Sequence, residues 1–123
     1  MHIRGIRGAT TVEENSEPAV LDATRELLRR LAQDNNIEPD EIAAILFTCT
    51  PDLTAAFPAE AARQLQWTHV PLMSAMEIGV PDSVLMCIRV LILYNTPRPQ
   101  TAMRFAYLRG AEAIKADLEA SRP

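Results

Sequence analysis

Aromatic side chains are scarce: three Phe, two Tyr and one Trp make up 5% of the 123 residues. Hydrophobic residues nevertheless reach 48%, so the chain has material for one core, and that core is aliphatic. Histidine and cysteine are also sparse. His2, His69, Cys49 and Cys87 cannot assemble a zinc set from the usual ligands. Both cysteines fall in predicted strands, in no metal or redox spacing, and read as small buried hydrophobes. No base is spaced to activate either thiol as a nucleophile. Basic runs are missing and the net charge is −4, which argues against a nucleic-acid partner. No apolar run approaches the roughly 20 residues of a bilayer span. The opening "MHIRGIRGATTVEE" lacks the apolar centre of a signal peptide, so a cytoplasmic location is the expectation. There is no internal repeat, linker or low-complexity segment.

What is present reads as alternating elements. "HIRGIRGATTV" is extended, and places Arg7 on one pleat face with Ile3 and Gly5. Ser16 is a helix N-cap, with Pro18 in the first turn. Val20, Leu27, Leu28 and Leu31 make an apolar stripe that leaves Glu26, Arg29 and Arg30 outside, and "DNN" at residues 34–36 ends the helix. "EIAAILFTCT" is a continuous apolar run suited to a strand covered on both faces. "TPDLTAAFP" is a loop, and "PAEAARQLQ" a short helix starting at Pro58. "HVPLMSAM" and "VLMCIRVLILYN" are strands, "TPRPQ" is a loop, and "AMRFAYL" is a last strand. In the tail "RGAEAIKADLEASRP", helix propensity competes with the interruption at Gly110. The order β-α-β-α-β-β-β predicts an α+β domain with a mixed sheet and helices on one face. The second and fourth strands are too apolar for a sheet with one face in water. A second copy of the chain is therefore expected to cover that face.

Within "SVLMCIRVLILYN" stands Arg89, a guanidinium that cannot shed its proton. Burying it without a partner costs several kcal/mol. Its counter-charge is either Glu77, just past "VPLMSAM", or a ligand. Arg7 in the first strand and Arg63 on the short helix add cations, and together they suggest a small oligomer holding a compact anion.

Four blocks, "RGIRGATTVEEN", "TPDLTAAFPAEAARQ", "VPLMSAMEI", and "CIRV" followed by "AYL", occur in an order and spacing that closely resemble the monofunctional chorismate mutases of the AroH class. The likeness runs from Met1 to about residue 118. It implies one domain over residues 1–118 with residues 119–123 as a flexible tail. It also implies a ferredoxin-like α+β subunit, and a homotrimer whose sheets form a pseudo-α/β-barrel core with active sites at the subunit interfaces. The implied reaction is the Claisen rearrangement of chorismate to prephenate in phenylalanine and tyrosine biosynthesis, with no cofactor, metal or covalent intermediate. By resemblance, Arg89 faces the ether oxygen and a carboxylate, Arg7 holds the side-chain carboxylate, and Glu77 accepts from the ring hydroxyl. Tyr107 binds a carboxylate. Phe57 and Ala59 form a wall from the neighbouring subunit, Met73 and Ser74 line the pocket, and Arg63 and Lys115 lie at its mouth. The pattern departs at Ser74, where cysteine is common, at Lys115, where arginine is usual, and at Glu60, where a lysine can occur. A proline expected just after Lys115 is missing.

Two other functions compete. A non-catalytic trimer could sense an aromatic-pathway acid, although the combination of Arg7, Glu77, Arg89 and Tyr107 is more than anion capture requires. A small trimeric enzyme acting on enamine or imine intermediates would also use an acid and an arginine clamp.

Overall fold

The computed structural model describes residues 1–114. Its helices and sheet follow from the pattern above. Helix α1, Glu17–Asn35, starts at Ser16, whose Oγ accepts from the Ala19 amide at 3.3 Å. It stops where Asn36 turns left-handed, at φ 52°. Val20, Leu27, Leu28 and Leu31 are fully buried. Helix α2, Ala59–Gln64, begins after Pro58.

Five strands make one mixed sheet: β1 His2–Thr11, β2 Ile42–Cys49, β3 Leu72–Met76, β4 Cys87–Thr96 and β5 Ala106–Tyr107. Their spatial order is β3-β2-β4-β1-β5. β4 is central and antiparallel to both neighbours, β1 and β2. β3 and β5 add in parallel at the two edges. The α+β class, the mixed sheet and the single helical face are as expected. The chain order is not the β-α-β-β-α-β of a ferredoxin-like unit, because α2 lies between β2 and β3 and no helix separates β3 from β4.

Both helices cover the same face. Ile6, Ile45, Phe47, Val90 and Ile92 point from the sheet into one aliphatic core with Leu27, Leu28, Leu31, Ala59, Ala61 and Ala62. Gly8 lets α1 come this close to β1. A Cβ there would stand 2.8 Å from Leu31 Cδ1 and 3.0 Å from Leu27 Cδ1. On the opposite face, Leu46, Leu91 and Leu93 are only half-buried. The apolarity of β2 and β4 is thus satisfied on one side and left partly open on the other.

Three strands start several residues later than expected: the third at Leu72 rather than His69, and two others because a side chain captures backbone. The fourth strand starts at Cys87 rather than Val84. Met86 is left-handed, at φ 52°, and its amide donates to Asp52 Oδ2 at 2.9 Å. The fifth strand shrinks to Ala106–Tyr107. Buried Asn35 accepts from the Arg104 amide and donates to the Arg104 carbonyl, both at 2.8 Å, holding that segment against the end of α1. The Gln100 amide stands in for a strand at Gly5, donating to its carbonyl and accepting from its N–H.

Candidate active site

The open face of the sheet positions the charged groups. β4 is paired on both sides, so Arg89 sits in a fixed row with Ala9 of β1 and Thr48 of β2. Arg7 lies two residues from Ala9 on the same pleat face, and therefore diagonal to Arg89, a spacing of about 7–8 Å in an antiparallel pair. β5 sets Tyr107 beside Ala9. β3 runs parallel to β2, and the Glu77 amide prolongs that ladder by donating to the Cys49 carbonyl at 2.8 Å. Glu77 thereby reaches the same face. Four expected site residues, Arg7, Glu77, Arg89 and Tyr107, thus line one cleft of about 290 Å³.

The contacts inside it are few and specific. Arg89 Nε lies 3.4 Å from Glu77 Oε1. It is buried and makes no hydrogen bond, so this contact is coulombic and leaves a donor unmet. Arg7 Nη2 and Nε donate to the Tyr107 hydroxyl at 3.0 and 3.3 Å. The guanidinium carbon of Arg7 is also 5.9 Å from the centre of the Phe105 ring. Because the tyrosine oxygen accepts from Arg7, its own hydrogen is free to meet an acceptor in the cleft. Among the described residues Arg7 has no carboxylate partner, so two cations face one carboxylate and the cleft is net positive. A compact anion fits that balance.

The other expected residues lie elsewhere in the single chain. Ser74 and the 74% exposed Phe57 line a separate cavity of about 700 Å³ near the first turn of α1. Among the described residues its charged lining is Glu17 and Glu60, which repel an anion. Met73 shares the pleat face of Glu77 and is 64% exposed. Ala59 is buried in the core. Arg63 pairs with Glu60 at 2.8 Å on the surface of α2. Lys115 and the expected tail lie outside the described residues. No group of metal-ligating side chains occurs among the described residues.

The sequence reading missed Thr48, whose hydroxyl donates to Glu77 Oε1 at 2.5 Å. A signal was there: Thr48 is the one hydroxyl residue in "IAAILFTC", on the face alternate to Phe47. Leu46, Leu91 and Ile114 complete the cleft with apolar surface. Of the two cysteines expected to be buried, only Cys87 fully is; Cys49 is half-buried against Val12, Val20 and Leu53. Burial, reinforced by the nearby Cys87, Glu77 and Asp52, pushes the Cys49 thiol up to about 11. Burial also raises the Cys87 thiol, against the opposing pull of Arg89.

Comparison with known proteins identifies relatives over nearly the whole chain. A family model described as chorismate mutase type I matches residues 3–118. A protein of Thermus thermophilus named chorismate mutase AroH is 52% identical over 121 residues, covering 98% of this chain and 99% of that protein. A protein of the same name from Bacillus subtilis is 39% identical over 123 residues, covering 99% and 97%. Among solved structures, a chorismate mutase from Clostridium thermocellum superposes with a TM-score of 0.87 at 45% identity. That match covers 89% of this chain and 97% of the other.

Proposed function

The chain belongs to the type I chorismate mutase family, and from that premise we propose that it converts chorismate to prephenate in the cleft between Arg7, Glu77, Arg89 and Tyr107. The observation that carries the proposal is the unmet Nε donor of Arg89, held on the central strand beside Glu77.

The reaction is an intramolecular Claisen rearrangement. The ether carbon–oxygen bond breaks while a carbon–carbon bond forms within the same molecule. No nucleophile attacks and no proton moves between substrate and protein. The protein supplies conformation and charge. Folding the enolpyruvyl side chain over the ring converts an uncommon conformer into the bound one. Arg7 and Tyr107 hold carboxylate, and Glu77 accepts the ring hydroxyl. Negative charge grows on the ether oxygen as its bond lengthens. A guanidinium already aimed there stabilises the transition state more than the ground state and reorganises little. The double pairing of β4 supports this rigidity.

The active assembly is a homotrimer in the cytoplasm, its sheets forming a barrel-like core and its clefts completed at the subunit interfaces. Large apolar side chains left exposed on and after β3 support such burial: Met73, Met76, Ile78 and Val80 are 64%, 73%, 85% and 57% exposed. Phe57 and Ser74, which line the cavity beside α1, then face the cleft of a neighbouring subunit with Arg63 at its mouth, while Ala59, buried in the core, lies behind that wall. That arrangement would bring the mostly apolar wall of one chain, edged by Glu17 and Glu60, to the cations of the next.

The test is purified protein with chorismate, following the loss of ultraviolet absorbance and identifying prephenate as product, with particle mass measured by light scattering. Conversion by a particle of three chains is expected. A folded protein that leaves chorismate unchanged overturns the proposal.

A further inference from the structure

We propose that Thr48 is a positioning residue for the rearrangement: its hydroxyl holds the Glu77 carboxylate off Arg89 and so keeps the Arg89 cation available to the substrate. The inference rests on the function proposed above and adds a residue to it.

Three observations converge on Thr48. Its Oγ1 donates to Glu77 Oε1 at 2.5 Å, a strong charge-assisted contact. The same Oε1 is the atom 3.4 Å from Arg89 Nε. Arg89 Nε is nevertheless buried without a hydrogen bond. A carboxylate this near a buried, unmet donor is drawn to close on it. What restrains Oε1 is the threonine hydroxyl on the next strand, directly opposite Arg89 in the ladder. The Glu77 backbone is tied to the adjacent residue, by its amide donating to the Cys49 carbonyl at 2.8 Å. Residues 48 and 49 of β2 therefore fix both the chain and the side chain of Glu77.

The consequence is electrostatic. Were Oε1 to settle on Nε, the ion pair would tighten and part of the Arg89 charge would be spent inside the protein. Glu77 would at the same time turn away from the substrate hydroxyl. The charge that matters is the one growing on the ether oxygen, so the loss falls on the transition state more than on the bound substrate. Turnover should drop more than affinity.

The test compares Thr48→Val, which keeps the shape and removes the hydroxyl, with Thr48→Ser, which keeps the hydroxyl. Both are assayed with chorismate, alone and combined with Glu77→Gln, after confirming melting temperature and assembly. Thr48→Val is expected to lower kcat about tenfold, as for one lost hydrogen bond to a charged group, with KM changed about twofold or less. Thr48→Ser should stay within about twofold of wild type. In the Glu77→Gln background the valine substitution should cost little further, because the carboxylate it governs is gone. A role in folding alone would lower the melting temperature and persist in that background. Wild-type turnover by folded Thr48→Val overturns this inference while leaving the proposed function standing. So does an undiminished loss in the Glu77→Gln background. Should folded wild-type protein fail to convert chorismate, both readings fall.

Discussion

Arg89 and Glu77 face each other 3.4 Å apart, and the arginine Nε between them is buried without a hydrogen bond. A fully satisfied ion pair would be a structural feature of the sheet. An incompletely used one on a central strand is poised for something else. The substrate ether oxygen and carboxylate are groups that could complete it.

Removing that cation should be severe. Arg89→Ala is expected to lower turnover by about three powers of ten or more, on the order of 4 kcal/mol. Arg89→Lys should also be badly impaired, because one ammonium does not reproduce the planar fork. Single-turnover rates on folded variants measure this, and near-wild-type rates from either would remove Arg89 from its assigned role.

Tyr107 should act mainly on binding. Its hydroxyl accepts from Arg7 and has a hydrogen left for a carboxylate. Tyr107→Phe is expected to raise KM for chorismate about tenfold, the scale of one hydrogen bond to a charged group, with a smaller change in kcat. A fall in kcat at unchanged KM would place the hydroxyl at the reacting bond instead.

Gly8 tests the packing that brings α1 to β1. Gly8→Ala puts a methyl 2.8 Å from Leu31 Cδ1 and 3.2 Å from the Ala106 carbonyl oxygen. Overpacking of this kind costs about 2 kcal/mol, or roughly 6–10 °C of Tm in a domain of this size. Thermal unfolding at constant protein concentration measures it, and an unchanged Tm would mean that the helix yields freely.

Cys49 predicts a pH effect with a definite sign. Its thiol titrates at about 11 when folded, against 9.0 as the ordinary value. Between those values the unfolded chain loses this proton and the folded chain keeps it, so the contribution to stability is complete below pH 9 and falls as pH rises toward 11. Denaturant unfolding from pH 8 to 11 should show a decline that Cys49→Ala reduces. At pH 7 the thiolate fraction is about one in ten thousand, so alkylation of the native protein should be slow. Rapid labelling of Cys49 in folded protein would contradict the burial.

Much of the fold was legible because it is local. Ser16, the leucine stripe and Asn36 carry the start, face and end of α1 in adjacent residues, and the apolar runs of β2 and β4 announce strands by their composition. Arg89 stood out for the same reason, being a charge inside such a run. Two of the three misplaced strand starts have a cause that was not legible. Asp52 on Met86 and Asn35 on Arg104 are side chains taking backbone groups from 34 and 69 residues away.

The sequence by itself determined the start, face and end of α1, the strand-forming segments and the resemblance to a family, and it singled out Arg7, Glu77 and Arg89 as charges in or beside strands, while Tyr107 came from the resemblance. Periodicity, capping and the cost of burying charge all act within a few residues or on one residue at a time. Only the tertiary structure decided the strand order and register. That register set Thr48 opposite Arg89, brought Glu77 back along β2, and turned Ser74 to the other face of the sheet. Such pairings depend on which long-range ladder buries the most apolar surface, and no short window of residues contains that comparison.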